Sequence, residues 1–206
     1  MDIETIKSLI PFATFLLGIL ASPLTEHLKS RYQEKRLIKG MREEFRDEIG
    51  ELDERIKRMA TALKTLVSIQ QNKYLELKTG KYIPRETLML FLEKALTTNY
   101  AYLSSQQRNT LKSISTQVNG INNYCKTLSA LELTEENIDE LIKFKKKFIY
   151  TACCLRYSMG YYLEPKSKMF YRDISDKEVI ENQLAEIEVE LSHEDIIVKR
   201  KITFNY

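Results

Sequence analysis

The 206-residue chain has no tryptophan, two histidines, three cysteines, four prolines and six glycines. So little glycine and proline excludes collagen-like and low-complexity classes, and so few cysteines exclude a disulfide-stapled scaffold. The histidines, His27 and His193, are far apart, and neither stands in a metal-ligand spacing such as H-E-x-x-H. Glycine-rich phosphate loops, the G-x-S-x-G turn and kinase-type strings are absent too, so no catalytic residue, metal or cofactor is assigned. An excess of one charge is also missing. Lys and Arg number 32 against 29 Asp and Glu, and a net charge of +3 is too small to argue for duplex DNA as the partner.

What is present suits one helical domain with an appendage: 43% hydrophobic and 30% charged residues in 24.2 kDa. Cys125, Cys153 and Cys154 fall at apolar helical positions and read as buried thiols. The Glu43-Glu44 pair has no apolar pocket suggested around it and reads as solvated.

The strongest feature lies at the front. Ser8 to Thr25 is 18 residues without a charge, about 27 Å of helix, close to the roughly 30 Å hydrocarbon core of a bilayer. In this reading Leu9, Ile10, Phe12, Phe15, Leu16, Leu17, Ile19, Leu20 and Leu24 form the membrane anchor. Gly18 and Ser22, four apart, make a small-x-x-x-small pair through which copies of the helix can approach. A cleaved signal peptide fits poorly, because Asp2 and Glu4 accompany the lone Lys7 and Ile19 stands two before Ala21. Pro11 falls in the first turn of the span, where its missing N–H removes no helical bond. Pro23 comes late enough to free the Ile19 carbonyl, so a kink is expected there and Pro23 is the candidate hinge.

Orientation follows from the flanks. Lys29, Arg31, Lys35, Arg36 and Lys39 follow the segment, with Arg42 and Arg46 close behind, and only Lys7 precedes it. The Lys/Arg-rich side stays cytoplasmic, which puts the N-terminus outside and the bulk of the chain inside a cell's inner membrane. The same five residues lie at the depth of anionic headgroups, where each is worth about 1 kcal/mol. The lipid bilayer is thus the first expected partner.

From Ile38 the apolar residues run Met41, Phe45, Ile49, Leu52, Ile56, Met59, Leu63 and Leu66 at intervals of three and four, a heptad seam on a helix predicted to reach about Thr79. In a parallel two-stranded coil Glu48 at g would meet Asp53 at e of the partner, so the seam is expected to pack mainly on the chain's own later helices.

Gly80 and Pro84 mark a turn, with Pro84 opening a helix carried by Leu88, Phe91, Leu92, Ala95, Leu96, Tyr100 and Leu103. Ser104-Ser105 cap the next, with Leu111, Ile114, Val118, Ile121, Cys125 and Leu128 inward and an uncharged face including Asn109, Asn119, Asn122 and Asn123 outward. Thr134 is expected to cap a fourth helix running through Leu141, Phe148, Ala152, Leu155 and Met159. Short connections between long amphipathic helices give an up-and-down bundle. Beyond Pro165, Ser175 to Glu178 reads as a capping box. The remainder fits either a helix followed by a strand, or a hairpin turning at Ser192 to Asp195 that sets Glu188 opposite Lys199 and Glu186 opposite Lys201. The expected organisation is an anchor over 1–28, a cytosolic bundle over 29–163 and a helix or strand extension over 164–206.

Two strings admit nucleic acid. Lys143, Lys145, Lys146 and Lys147 interleave with Phe144 and Phe148, a mixture able to neutralise phosphates and stack bases; at helical spacing it is equally one basic face and one core stripe. Arg108-Asn109-Thr-Leu-Lys-Ser113 opens a helix within a four-helix pattern and resembles the R-N-x-x-x-H signature of HEPN-type ribonucleases, with Ser113 where the histidine belongs. That departure removes the group expected to act in RNA cleavage and leaves Arg108 and Asn109 as RNA-binding candidates. A single anchor followed by a degenerate HEPN-like bundle also resembles the membrane-pore accessory proteins that accompany RNA-targeting CRISPR effectors. The resemblance implies a ring-like homo-oligomer whose anchors surround a pore, a protein effector as partner and a role in antiviral defence. The expectation is therefore a membrane-anchored, non-enzymatic helical protein that self-assembles at the cytoplasmic face. Its rival is a tethered bundle that binds or cleaves RNA.

Overall fold

The seam of threes and fours is the inner face of one helix, α1 (Ile3–Gln70), 68 residues long. The computed structural model describes residues 3–71, 81–98, 100, 103–164 and 174–198; within α1, side chains are described from Pro11 onward except at 12, 13, 16, 20 and 24. After α1 come α2 (Leu90–Thr98), α3 (Ser105–Ala130), α4 (Ile138–Leu163), α5 (Asp176–Glu186) and α6 (His193–Ile196), with no strand among the described residues.

Met41, Phe45, Leu52, Ile56, Met59, Leu63 and Leu66 are all buried, so the seam packs inside its own chain as its spacing predicts. The groups that argued against a coiled-coil dimer are used internally. Glu48 pairs with Arg55 at 3.0 Å, and Asp53 accepts from Arg156 at 2.6 Å. Pairings along α1 fix the topology. Arg42 donates to the Leu163 carbonyl, the Phe45 ring meets Tyr162 edge-on, and Gln70 donates to Asp139, so α4 runs antiparallel to α1. Gln106 against Tyr161 and Tyr124 against Phe144 make α3 antiparallel to α4.

The second stave is not the helix expected. Pro84 does not open it: residues 82–89 are irregular, and α2 has only nine residues. Proline disfavours helix at the residue before it and withholds an N–H, which leaves the segment free to be held by side chains instead. Reach decides the rest. From Tyr82, over which Arg58 stacks, to Phe91, whose amide meets Glu44, the chain descends beside fourteen residues of α1, about 21 Å. Nine helical residues would cover only about 14 Å. The extended geometry also shifts the inward register, so Met89 is buried while Leu88 and Phe91, expected in the core, are exposed. The up-down-up-down path survives, half of its second stave being a strap.

Other boundaries follow their caps. Ser104 caps α3 in a reciprocal box with Gln107, and the Ser175 hydroxyl accepts from the Glu178 amide to open α5. Thr134 does not cap α4: its carbonyl accepts from the Asn137 amide in a turn, and Asn137 is the capping position. The hairpin is overturned as well. Ser192 bonds Asp195 and opens the single-turn α6, Glu186 goes to Arg156, and the expected strand partners at 199–206 lie outside the described residues. Ile180, Leu184, Ile187 and Ile196 join the same core as α1 and α4.

Candidate functional site

α1 has two environments. Among the described side chains none before Leu37 is buried, so its first part extends past the bundle. Phe15, Leu17, Ile19, Leu28 and Tyr32 are 64%, 66%, 52%, 59% and 69% exposed. Gly18, Ser22 and Pro23 are exposed too, while the side chains of Leu9, Ile10, Phe12, Leu16, Leu20 and Leu24 lie outside the described residues. Lys29, Arg31, Lys35, Arg36 and Lys39 line the stretch before the bundle, all exposed, Lys39 within 3.8 Å of Glu43. The helix continues through Pro23, with the Thr25 hydroxyl donating to the Ala21 carbonyl at 2.6 Å. It begins at Ile3, so Pro11 sits in its third turn rather than its first and costs the Lys7 carbonyl a partner. Among the described residues no helix is long and apolar enough to cross a membrane.

Inside the bundle, polar side chains that the sequence did not single out grip the strap. Thr87 and Asn122 exchange two bonds, amide N–H to Oδ1 at 2.7 Å and Nδ2 to carbonyl at 2.9 Å, much as neighbouring strands do. Asn122 therefore leaves the outward polar face to which its spacing assigned it. The Thr87 hydroxyl donates to Glu48 at 2.9 Å and accepts from Arg55 at 2.7 Å. Glu44, expected to be solvated, accepts the amides of Phe91 and Leu92 and so caps α2 from another helix. Burial holds the Glu48 carboxyl above its ordinary range in spite of the Arg55 guanidinium.

Lys145 completes the grip and corrects its place among the RNA-binding candidates. It is 1% exposed, donates to the Tyr82 carbonyl at 2.7 Å and lies 3.7 Å from the Met59 sulfur. Burial lowers its ammonium to about 8. The signal was in the spacing, since Lys145 falls between Leu141 and Phe148 on the inward stripe of α4, just as Glu48 falls between Phe45 and Leu52 on α1. Lys143 and Lys147 flank the Phe144 ring at 5.9 and 5.2 Å, and Lys146 is half-buried.

Arg108 is elsewhere. It donates to Ser105, lies 5.3 Å over the Tyr100 ring and shares that ring with Lys112 at 5.0 Å, while Asn109 is exposed. Because Tyr124 is the α3 residue that meets Phe144, Arg108 is sixteen residues, about 24 Å, from the lysine run. The two candidate RNA-binding strings occupy opposite ends of the bundle and form no common surface.

Little in the interior is poised for chemistry. Cys125 and Cys153 are buried and Cys154 half-buried, and burial pushes their thiols up to about 11, 12 and 12, away from the reactive thiolate. A cavity of about 400 Å³ between α4 and α5 is lined by Arg156, Tyr157, Gln183 and Glu186, but Arg156 is already bonded to Asp53, Gln183 and Glu186. No group of three or more metal-ligating side chains occurs among the described residues. No family model, curated protein or solved structure matches the chain.

Proposed function

We propose that the chain is a single-pass membrane protein that carries its helical bundle at the cytoplasmic face and works by assembling there rather than by catalysis. The observation that carries this reading is the apolar surface of the projecting part of α1. Burying a side chain such as Phe15, Leu17 or Ile19 is worth about 1.5–3 kcal/mol, and in water the projecting helix forgoes that at every one of them. Lipid removes the penalty, and the charge-free run Ser8 to Thr25 has the length for it. The basic residues on one flank give the orientation.

Self-assembly adds Gly18 and Ser22 as the approach surface between anchors. The resemblance to pore-forming CRISPR accessory proteins extends the proposal to a ring of anchors enclosing a pore in antiviral defence, because one helix encloses no channel. Detergent-free lysis and ultracentrifugation test the first step: the full-length chain is expected in the membrane pellet, and its recovery in the supernatant overturns the proposal. Blue-native electrophoresis of mildly extracted protein tests the second. A band several times the monomer mass is expected, and monomer alone rejects assembly and pore together.

A further inference from the structure

We propose that the end of the bundle nearest the projecting helix is a docking face for anionic lipid headgroups, formed by Arg36, Phe91, Lys94, Tyr100, Arg108 and Lys112. The proposal rests on the membrane reading and adds side chains of α2 and α3 to the basic run of α1.

Three helices bring these groups to one end. Arg36, Phe91 and Lys94 line a groove between α1 and α2 together with Gln33 and Leu37. A second hollow is lined by Ile38 and Arg42 of α1 and by Gln106, Gln107 and Thr110 at the start of α3, which places Arg108 and Lys112 at the same end. The Tyr100 ring lies beneath both cations and holds them together over one aromatic face.

Several cations of the bundle are paired: Arg55 with Glu48, Lys64 with Glu190, Lys126 with Glu86, Arg156 with Asp53 and Glu186. Lys143 and Lys147, over the Phe144 ring at the far end, are not, so what sets this end apart is its free cations lying beside the projecting helix. Among the described residues Arg36, Lys94, Arg108 and Lys112 have no carboxylate partner within ion-pair distance. Of the local carboxylates, Glu43 lies beside Lys39 and Glu44 holds the amides of α2, while Glu34 is half-buried and Glu93 exposed.

Height along α1 is consistent with the proposal. Tyr32, 69% exposed, comes seven residues after Thr25, about 10 Å past the end of the uncharged run, at the headgroup level where tyrosine collects. Arg36 is one turn further, about 6 Å, so the bundle begins within a screening length of about 8 Å of the lipid charges. The lysine run at the opposite end faces away from them.

The test reconstitutes the full-length chain in vesicles of phosphatidylcholine alone or mixed with phosphatidylserine. Asn109→Cys carries an environment-sensitive fluorophore, and the parent chain taken through the same labelling gives the background from Cys154. Emission is expected to shift only with phosphatidylserine and to revert in about 1 M salt. Arg108→Gln with Lys112→Gln is expected to lower the docked-to-undocked ratio about fivefold for each charge removed, with Lys94→Gln on a separate helix acting the same way. The paired Arg108→Lys and Lys112→Arg changes restore it. Flotation of the vesicles separates the docking face from the membrane anchor. A chain that floats but shows identical emission in both lipids, or a shift indifferent to these charges, overturns the docking face alone. A chain that does not float overturns the membrane reading with it. A shift caused by single-stranded RNA and not by phosphatidylserine reassigns the face to nucleic acid.

Discussion

The two parts of α1 share one uninterrupted helix and differ in what their apolar residues do. From Leu37 onward they recur every three or four positions and are buried against α2 and α4; before it, Phe15, Leu17 and Ile19 recur every second position and are exposed. A stripe needs one protein neighbour, whereas a helix that is apolar all round needs an apolar surrounding. Helix formation is thus common to both parts, and only the pattern around the axis says which solvent each one requires.

The largest effect comes from breaking the projecting part alone. Leu17→Asp with Ile19→Asp places two carboxylates in the uncharged run at a transfer cost of about 5–7 kcal/mol. The chain is expected to leave the membrane pellet almost entirely, with the urea midpoint of its bundle unchanged. A double variant that still pellets without detergent would mean that the projecting helix is not what holds the chain there.

The reverse experiment breaks the bundle and spares the rod. Glu48→Ala deprives Arg55 and Thr87 of their shared carboxylate and leaves Arg55 only the exposed Glu51 at 3.8 Å, so the loss approaches the about 3–5 kcal/mol that breaking a buried ion pair costs. Urea unfolding of the detergent-solubilised chain should show the loss, while the share of chain in the membrane fraction stays as it was. A loss below about 1 kcal/mol would show that the strap is held by Asn122, Lys145 and its apolar residues Pro84 and Met89 without need of the Glu48 carboxylate.

These two variants also mark how far the sequence could be read. The seam of α1 and the inward stripes of α3 and α4 were legible because each repeats over many turns, and periodicity averages out single exceptions. The strap was not. Leu88, Phe91, Leu92 and Ala95 imitate helical spacing, and the groups that hold residues 82–89 extended, Glu48, Asn122 and Lys145, lie 35 to 63 positions from their partners, where no local pattern links them. Lys145 hid among four lysines of which one points inward. The separation of the two candidate RNA-binding strings was hidden for a related reason: sequence showed their composition but not that α3 and α4 run antiparallel, which sends them to opposite ends.

A third test sharpens the contrast through protons. Lys145, lowered to about 8, gives up its proton on folding at pH values where the unfolded chain still holds one, so its contribution to stability rises with pH between about 8 and the ordinary lysine range and is constant below. Over that window it amounts to about 3 kcal/mol. The thiols act oppositely. Cys125 and Cys153 keep their protons in the folded chain after the unfolded one has lost them, and stability from them falls as pH rises above the usual thiol value. The difference between the parent and Lys145→Met isolates the lysine, since the thiols are common to both. Its stability relative to Met is expected to improve steadily from pH 8 to 10, and a flat difference would place the ammonium in contact with water.

The smallest change moves the bundle without touching α1 at all. α5 ends in a Schellman motif: the Val189 amide bonds the Leu184 carbonyl, the Glu188 amide bonds the Ala185 carbonyl, and Glu188 stands at the position that glycine favours, with φ at 57°. A side chain there is crowded against its own backbone, and Glu188 is exposed with no ion pair among the described residues to offset the strain. Glu188→Gly relieves it but frees the unfolded chain as well, so the two effects partly cancel. A net gain of about 0.5 kcal/mol is expected in the urea midpoint, with membrane partition unchanged. A loss instead would show that the carboxylate at 188 has a partner worth more than the left-handed backbone costs, and would point to residues beyond Val198 as the place to look for it.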